Sequence, residues 1–398
     1  MNIALPVLPL ADRTASLKPT AVNAILAEIR ELQSQGRRVV SLMRGEPDFD
    51  TPAHIVEAAQ AALRAGRTRY PDNRGEPALR QAVSAKLRRD GLEYDPASEI
   101  LVTTGATLGI QAALLALLNE GDEVLLPDPI YDAYASPIQM AGGRVRSIPC
   151  ALQNGRFTMD AAALDAAAGP RSRVCILNTP WNPAGTVFTE RELQEVGDVV
   201  TRRGLALISD EIYEAITYDA ARHVSPARMP SLRERTVIVN SLSKTYAMTG
   251  WRVGYCAAPA PVIQAMLLVL QQTSRGPATF VQDAAAAALD GDQRCVTVMR
   301  QEYAARRERV AAALDGIPGV TVIPPEGGFF TMVDVRALGR PSDEIRRHLL
   351  RDSGVAVVHG AAYGPGGEGT LRVSFGSGGA ALDEGLTRLA QGLRALTR

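Results

Sequence analysis

The sequence predicts an α/β protein, with a large domain built on a mostly parallel, helix-covered central sheet and a smaller α+β domain. Three observations carry this reading. Short apolar runs alternate with amphipathic stretches through the middle of the 398-residue chain. Polar and ionisable residues concentrate where those runs end. After about residue 285 the texture changes to a long Arg/Glu-rich helical stretch followed by separated strand-like runs.

In chain order, ILVTT reads as a strand that leads into a helix starting near Ala106, running through LGIQAALLALL and ending before Gly121. VCILN (174–178), LALIS (205–209) and TVIVN (236–240) are short, mostly apolar runs, the pattern of strands buried on both faces. Between the first two lies TERELQEVGDVVTRRG (189–204), an amphipathic helix with Gly204 as its stop. This βαβ rhythm calls for a parallel sheet. In the C-terminal part, VTVIPPEGGFFTMVDV and LRVSFG supply strands of a different kind of sheet.

Composition excludes several classes. Basic and acidic residues balance at 43 each, so no broad positive field points to nucleic acid or an anionic membrane. Cys150, Cys175, Cys256 and Cys295 show neither metal-ligand nor redox spacing, which fits a reducing cytoplasm. The N-terminal MNIALPVLPLADR is broken by prolines and has no basic lead, so a signal peptide is not expected.

One residue type is conspicuous by its rarity. Of 43 basic residues only Lys18, Lys86 and Lys244 are lysine. Where charge alone is needed this chain writes Arg, so a lysine in SLSKTYAMTGWRVGY (241–255) points to amine chemistry, since guanidinium stays protonated. Its surroundings agree. In open α/β sheets ligands bind beyond the carboxyl ends of the strands. There Asn178 leads into TPWNPAG, Asp210 and Tyr213 follow LALIS, and Ser241, Ser243 and Lys244 follow TVIVN. Gly105, Ala106 and Thr107 open a helix whose backbone N–H groups can hold an anion. An anion cradle, a carboxylate and an amine together suit pyridoxal phosphate.

From GEPDFDTP (45–52) through YPDNRGEPALR (70–80), TTGAT (103–107), NTPWNPAGTVF (178–188), SDEIY (209–213) and SLSKTYAMTGWRVGY to LRVSFG (371–376), the chain resembles a class I/II aminotransferase of fold type I. The resemblance implies a large domain over 48–285, a small domain from 1–47 with 286–398, and a homodimer with shared sites. It implies an enzyme that moves an amino group between an amino acid and a 2-oxo acid by ping-pong half-reactions. A lyase or oxidative deaminase on the same fold, such as a C–S β-lyase or an aminocyclopropane-carboxylate-synthase-like enzyme, is the alternative. Lys244 resembles the Schiff-base lysine and general base, and Asp210 the partner of the pyridinium nitrogen. Asn182 and Tyr213 fall where the phenolic oxygen is held, and Tyr131 where an aromatic ring stacks on the pyridine. Gly105, Ala106, Thr107, Ser241, Ser243 and Arg252 fall at the phosphate, with Tyr70 reaching it from the neighbouring subunit. Arg372, with Gly45 and Asn182, is expected on the substrate α-carboxylate. Three positions depart from the family. Thr107 stands where related bacterial aspartate enzymes carry a lysine, Arg275 in a loop expected to enter the partner's substrate pocket and pair there with a distal carboxylate or other acidic group of one substrate, and His359 where proline is common. No metal is expected.

Overall fold

The computed structural model describes residues 8, 11–15, 17 and 19–397. Most of the apolar N-terminal stretch, and Lys18, lie outside the described residues.

Seven strands form the central sheet, in the spatial order Ile100–Thr103, Gly254–Ala257, Thr236–Ser241, Ala206–Asp210, Ser172–Asn178, Glu123–Asp128, Arg144–Pro149. All neighbours pair in parallel except Gly254–Ala257, which is antiparallel to both of its own. Helices on both faces explain the unbroken apolar runs: Val174, Ile176, Leu207, Ile208, Val237 and Val239 are all buried. The amphipathic stretch forms the helix Glu190–Arg202. Its start is fixed by a capping box in which the Thr189 hydroxyl accepts from Glu192 N and the Glu192 carboxylate accepts from Thr189 N. The helix Ala106–Leu117 follows the first strand, as its periodicity predicts.

A second, antiparallel sheet orders Thr321–Ile323, Phe330–Asp334, Thr370–Ser374 and Val358–His359. Helices Arg294–Leu314 and Gly379–Leu396 bury Tyr303, Val310 and Leu389 in the same core as Val333 and Leu371 of this sheet. The N-terminal segment packs here too. Val40–Ser41 pairs in parallel with Val355–Ala356, and helix Ala21–Ser34 sets Ile25 and Ile29 against Leu350, Val358 and Tyr363. Helix Thr279–Asp290 runs unbroken across residue 285 and buries Ala284, Ala285 and Leu289 with Ile55, Leu79 and Val102. No helix among the described residues is long and apolar enough to cross a membrane.

The topology places the chemistry. The parallel strands all leave the sheet at one edge, while antiparallel Gly254–Ala257 enters it there, so Arg252, just ahead of that strand, joins Asp210 and Lys244 at the same edge.

Candidate active site

At this edge lies a cavity of about 390 Å3 between the two sheets' units. Gly45, Ala106, Thr107, Tyr131, Asn182, Asp210, Tyr213, Ser241, Ser243, Lys244, Arg252 and Arg372 all line it.

One end is built for an anion. Gly105 caps the 12-residue helix Ala106–Leu117 with φ 77°, and a Cβ there would sit 2.5 Å from an Arg252 Nη. At Gly254 a Cβ would lie 3.0 Å from Ala106 N and 2.7 Å from Asn240 O. The two glycines thus let the helix's positive end, the guanidinium and the neighbouring strand close on one point. Arg252 donates only to Thr249 O, at 3.1 Å, and pairs with no carboxylate among the described residues. Buried Ser241 and Ser243 stand beside it, the Ser241 hydroxyl accepting from Ser243 N at 3.3 Å.

The middle of the cavity is built around a buried acid. Asp210 ends its strand in register with Asn178, whose side-chain amide donates to Asp210 O at 3.0 Å and whose Oδ1 accepts from Asn182 N at 2.7 Å. Asn182 is thereby fixed one turn beyond the neighbouring strand. Burial pushes the Asp210 carboxyl up to about 6, although the Tyr134 hydroxyl, donating to Oδ2 at 2.6 Å, draws it down. A carboxylate so placed is suited to a cationic ring N–H. Tyr213 is buried edge-on to Phe329 and Phe330, and burial holds its hydroxyl well above the usual tyrosine range.

Lys244 follows Ser243 in a single helical turn, Leu242–Thr245, and its Nζ donates to Gly45 O at 2.5 Å. Burial lowers the amine to about 8, opposed by Glu46 and assisted by the charges of Arg252 and Arg372. Arg372 is buried on its strand with no carboxylate partner among the described residues. It donates to Asn182 Oδ1 at 3.2 Å and Met43 O at 3.0 Å and stacks 4.1 Å from the Phe330 ring centre. A buried guanidinium without a counter-charge is costly unless an anion completes it. Carbonyl Gly45 O faces Lys244 here, beside the arginine's cavity.

Tyr70 and Arg275 lie outside this chain's own cavity. The Tyr70 ring is 87% exposed, and the Arg275 guanidinium sits over it at 5.7 Å from the centroid. His359 also stands apart from the cavity, 3.6 Å from Asp343, its basicity lowered by burial.

Sequence reasoning missed Tyr134 and Asp132, both in DPIYDAY, and the function of Asn178 as the strut under Asn182. The signal for Tyr134 was its place three residues after Tyr131, which brings the two rings edge-to-face at 5.6 Å. The rule that this chain uses Arg wherever only charge matters also fails. Lys86 is an ion-pair lysine, 2.5 Å from Glu214 and 2.8 Å from Asp90, where a compact ammonium fits between two carboxylates. Nearby Glu211 and Glu214 approach His223 closely, but Ser209, Ser225 and His223 already serve Glu211, and Lys86 serves Glu214.

An anion cradle, a buried acid in need of a cation and a depressed amine, within one cavity, fit pyridoxal phosphate as the cofactor of a fold-type I enzyme. Comparison with known proteins agrees. Residues 37–389 match the family described as aminotransferase class I and II. The chain is 38% identical over 393 residues to an aspartate aminotransferase of Geobacillus stearothermophilus, covering 97% of this chain and 99% of that one. It is 38% identical over 356 residues to an arginine–pyruvate transaminase of Pseudomonas aeruginosa, covering 89% and 90%. The crystal structure of the Rhizobium meliloti aspartate aminotransferase matches with a TM-score of 0.93 at 34% identity, over 97% of this chain and 99% of that one.

The chain belongs to the class I and II aminotransferases. It is a pyridoxal-phosphate-dependent enzyme that transfers an amino group between an amino acid and a 2-oxo acid, and the lyase and deaminase alternatives are not favoured.

Proposed function

We propose that Lys244, Asp210 and Arg372 divide the transfer among them. Pyridoxal phosphate, when bound, supplies the electron sink for the electrons left on the substrate α-carbon. Asp210, ionised, holds the proton on the ring nitrogen, and Tyr134 keeps the carboxylate in place. Asn182 and Tyr213 would donate to the cofactor's phenolic oxygen, and Tyr131 would supply an aromatic wall for it. Gly105, Ala106, Thr107, Ser241, Ser243 and Arg252 would hold the phosphate. Arg372 takes the α-carboxylate as a two-pronged pair, oriented by Asn182 and flanked by Gly45. The Lys244 amine, with its pKa near 8, is available first as a nucleophile and then as the base that removes and returns the α-proton.

The observation that carries this reading is the meeting of Lys244, Asp210 and unpaired Arg372 in one cavity. Both half-reactions use that cavity in turn. Incubating the loaded enzyme with one amino donor and no acceptor tests it. About one 2-oxo acid per site, with conversion to the pyridoxamine spectrum, is expected. Steady release of ammonia and pyruvate would instead indicate a lyase.

Assembly is part of the proposal. Tyr70, outside its own chain's cavity and exposed, is free to reach a second subunit, and we place it on the neighbouring subunit's phosphate in a homodimer. Arg275, held over that ring, then arrives at the phosphate end rather than at the far end of the substrate. Four unpaired cysteines support a reducing, cytoplasmic setting.

A further inference from the structure

The charges lining the cavity do not all find a use in the reaction just described. Among the described residues, those with formal charge are Asp132, Asp210, Lys244, Arg252 and Arg372. On the reading proposed above, Asp210 is matched by the ring cation, Arg252 by the phosphate and Arg372 by the α-carboxylate, while Lys244 is consumed as the amine. Asp132 remains. Its Oδ2 accepts from Ala21 N at 2.9 Å, the first amide of helix Ala21–Ser34, whose positive end offsets part of the charge. Its Oδ1 is buried with no hydrogen-bond partner among the described residues. A carboxylate oxygen buried without a donor is costly and calls for one.

The position of this oxygen defines what the donor can be. Asp132 lines the cavity with Thr20, Val22 and Asn23 of the N-terminal segment, and it follows Tyr131 directly. Thr107, also on the wall, offers a hydroxyl and no charge. A substrate held by its α-carboxylate on Arg372 has its side chain left to meet these residues. We propose that Asp132 is a specificity-determining residue that accepts the cationic end of an amino-acid side chain, so that the preferred amino donor carries a guanidinium or ammonium group. The inference rests on the assignments of the previous section. It excludes a distal carboxylate as the favoured group, because that would stand against Asp132.

The test compares arginine with citrulline, which differ at the distal group by charge and little in shape, as amino donors for wild type and Asp132→Asn. The asparagine retains a carbonyl oxygen for Ala21 N. Wild type is expected to prefer arginine by about 10- to 100-fold in kcat/KM, the range of one charge-assisted hydrogen bond, and Asp132→Asn to lose most of that preference. A direct reading without turnover comes from Lys244→Ala loaded with cofactor, where arginine should again bind tighter than citrulline by a spectroscopic titration. A purely structural role for Asp132 would depress both donors equally and leave the ratio unchanged. An unchanged ratio, no wild-type preference, or a preference for glutamate over glutamine would each overturn the inference while leaving transamination intact. Failure of every amino donor would count against the residue assignments themselves.

Discussion

Replacing Tyr134 by Phe removes one hydroxyl and leaves the ring that packs edge-on to Tyr131. The lost bond is the 2.6 Å donation to buried Asp210 Oδ2. Hydrogen bonds to a charged acceptor contribute about 1.5–3 kcal/mol, which at roughly 1.36 kcal/mol per pKa unit is a rise of about 1–2 units. In the apoenzyme Asp210 should therefore move up from about 6 by that amount, to roughly 7–8. The cofactor ring demands the ionised carboxylate, so binding weakens wherever wild type is ionised and the variant is not. At about pH 6 the variant's Kd is expected to be about 5- to 50-fold weaker, and the two proteins should converge near pH 9. Fluorescence titration of both apoenzymes with pyridoxal phosphate measures this, and taking the ratio at each pH cancels the cofactor's own titration. A ratio independent of pH would show that Tyr134 does not control the ionisation of Asp210, and the assignment of that acid to the ring nitrogen would lose its main support.

Lys244→Ala should abolish transfer while still binding the cofactor non-covalently. Borohydride reduction of wild type, followed by peptide mapping, should mark Lys244, and a label on Lys86 would sink the assignment. Asp210→Asn should cut turnover by several orders of magnitude yet stabilise the apoenzyme. An acid whose folded pKa is raised loses stability as pH climbs from its unfolded value near 4 to its folded value near 6. Removing that group should recover about 3 kcal/mol at neutral pH, visible in urea melts, and identical apo stabilities would refute the burial argument. Arg372→Ala should cost about 2–5 kcal/mol in kcat/KM for amino acids, with Arg372→Lys recovering little. Simple amines should be spared, and an equal loss for them would place Arg372 outside the carboxylate site. Mixing Lys244→Ala with Tyr70→Ala subunits should regenerate one complete site per mixed dimer, about a quarter of wild-type activity at full exchange. No recovery on exchange would mean that Tyr70 serves its own chain or none.

Much of this was legible in the sequence, for identifiable reasons. Strands such as TVIVN are covered on both faces, so their composition alone gives them away, and the residues after them inherit a common edge. What stayed hidden depends on contacts between distant segments. Tyr134 and Asp210 are 76 positions apart, and only the turn after Glu123–Asp128 brings the hydroxyl over the neighbouring strands' ends. Asp132 has a value only because the N-terminal helix, 111 positions earlier, lays its first amide against it. The alanine-rich helix Thr279–Asp290 has the texture of either unit, so its packing against Ile55 and Leu79 could not be read from composition.

The two described lysines show where composition stops being informative. Both are largely removed from solvent, and burial pushes both amines down. At Lys86 the charges of Glu214, Tyr255 and Asp90 overcome that push and hold the ammonium well above its ordinary range, so it cannot act as a nucleophile at any working pH. At Lys244 two carboxylates oppose burial, Glu46, itself occupied by Arg44 at 2.6 Å and Thr249 at 3.2 Å, and Asp210, while Arg252 and Arg372 reinforce it. Rarity therefore did not single out Lys244, since it applied equally to Lys86. What distinguishes them is that one lies among carboxylates on a helix flank and the other among guanidinium groups at the carboxyl edge of a parallel sheet. A Lys86→Arg variant should accordingly keep transaminase activity and lose only stability, whereas Lys244→Arg should be inactive with its fold intact. Activity surviving Lys244→Arg would mean that the charge, and not the deprotonated amine, is what the edge requires.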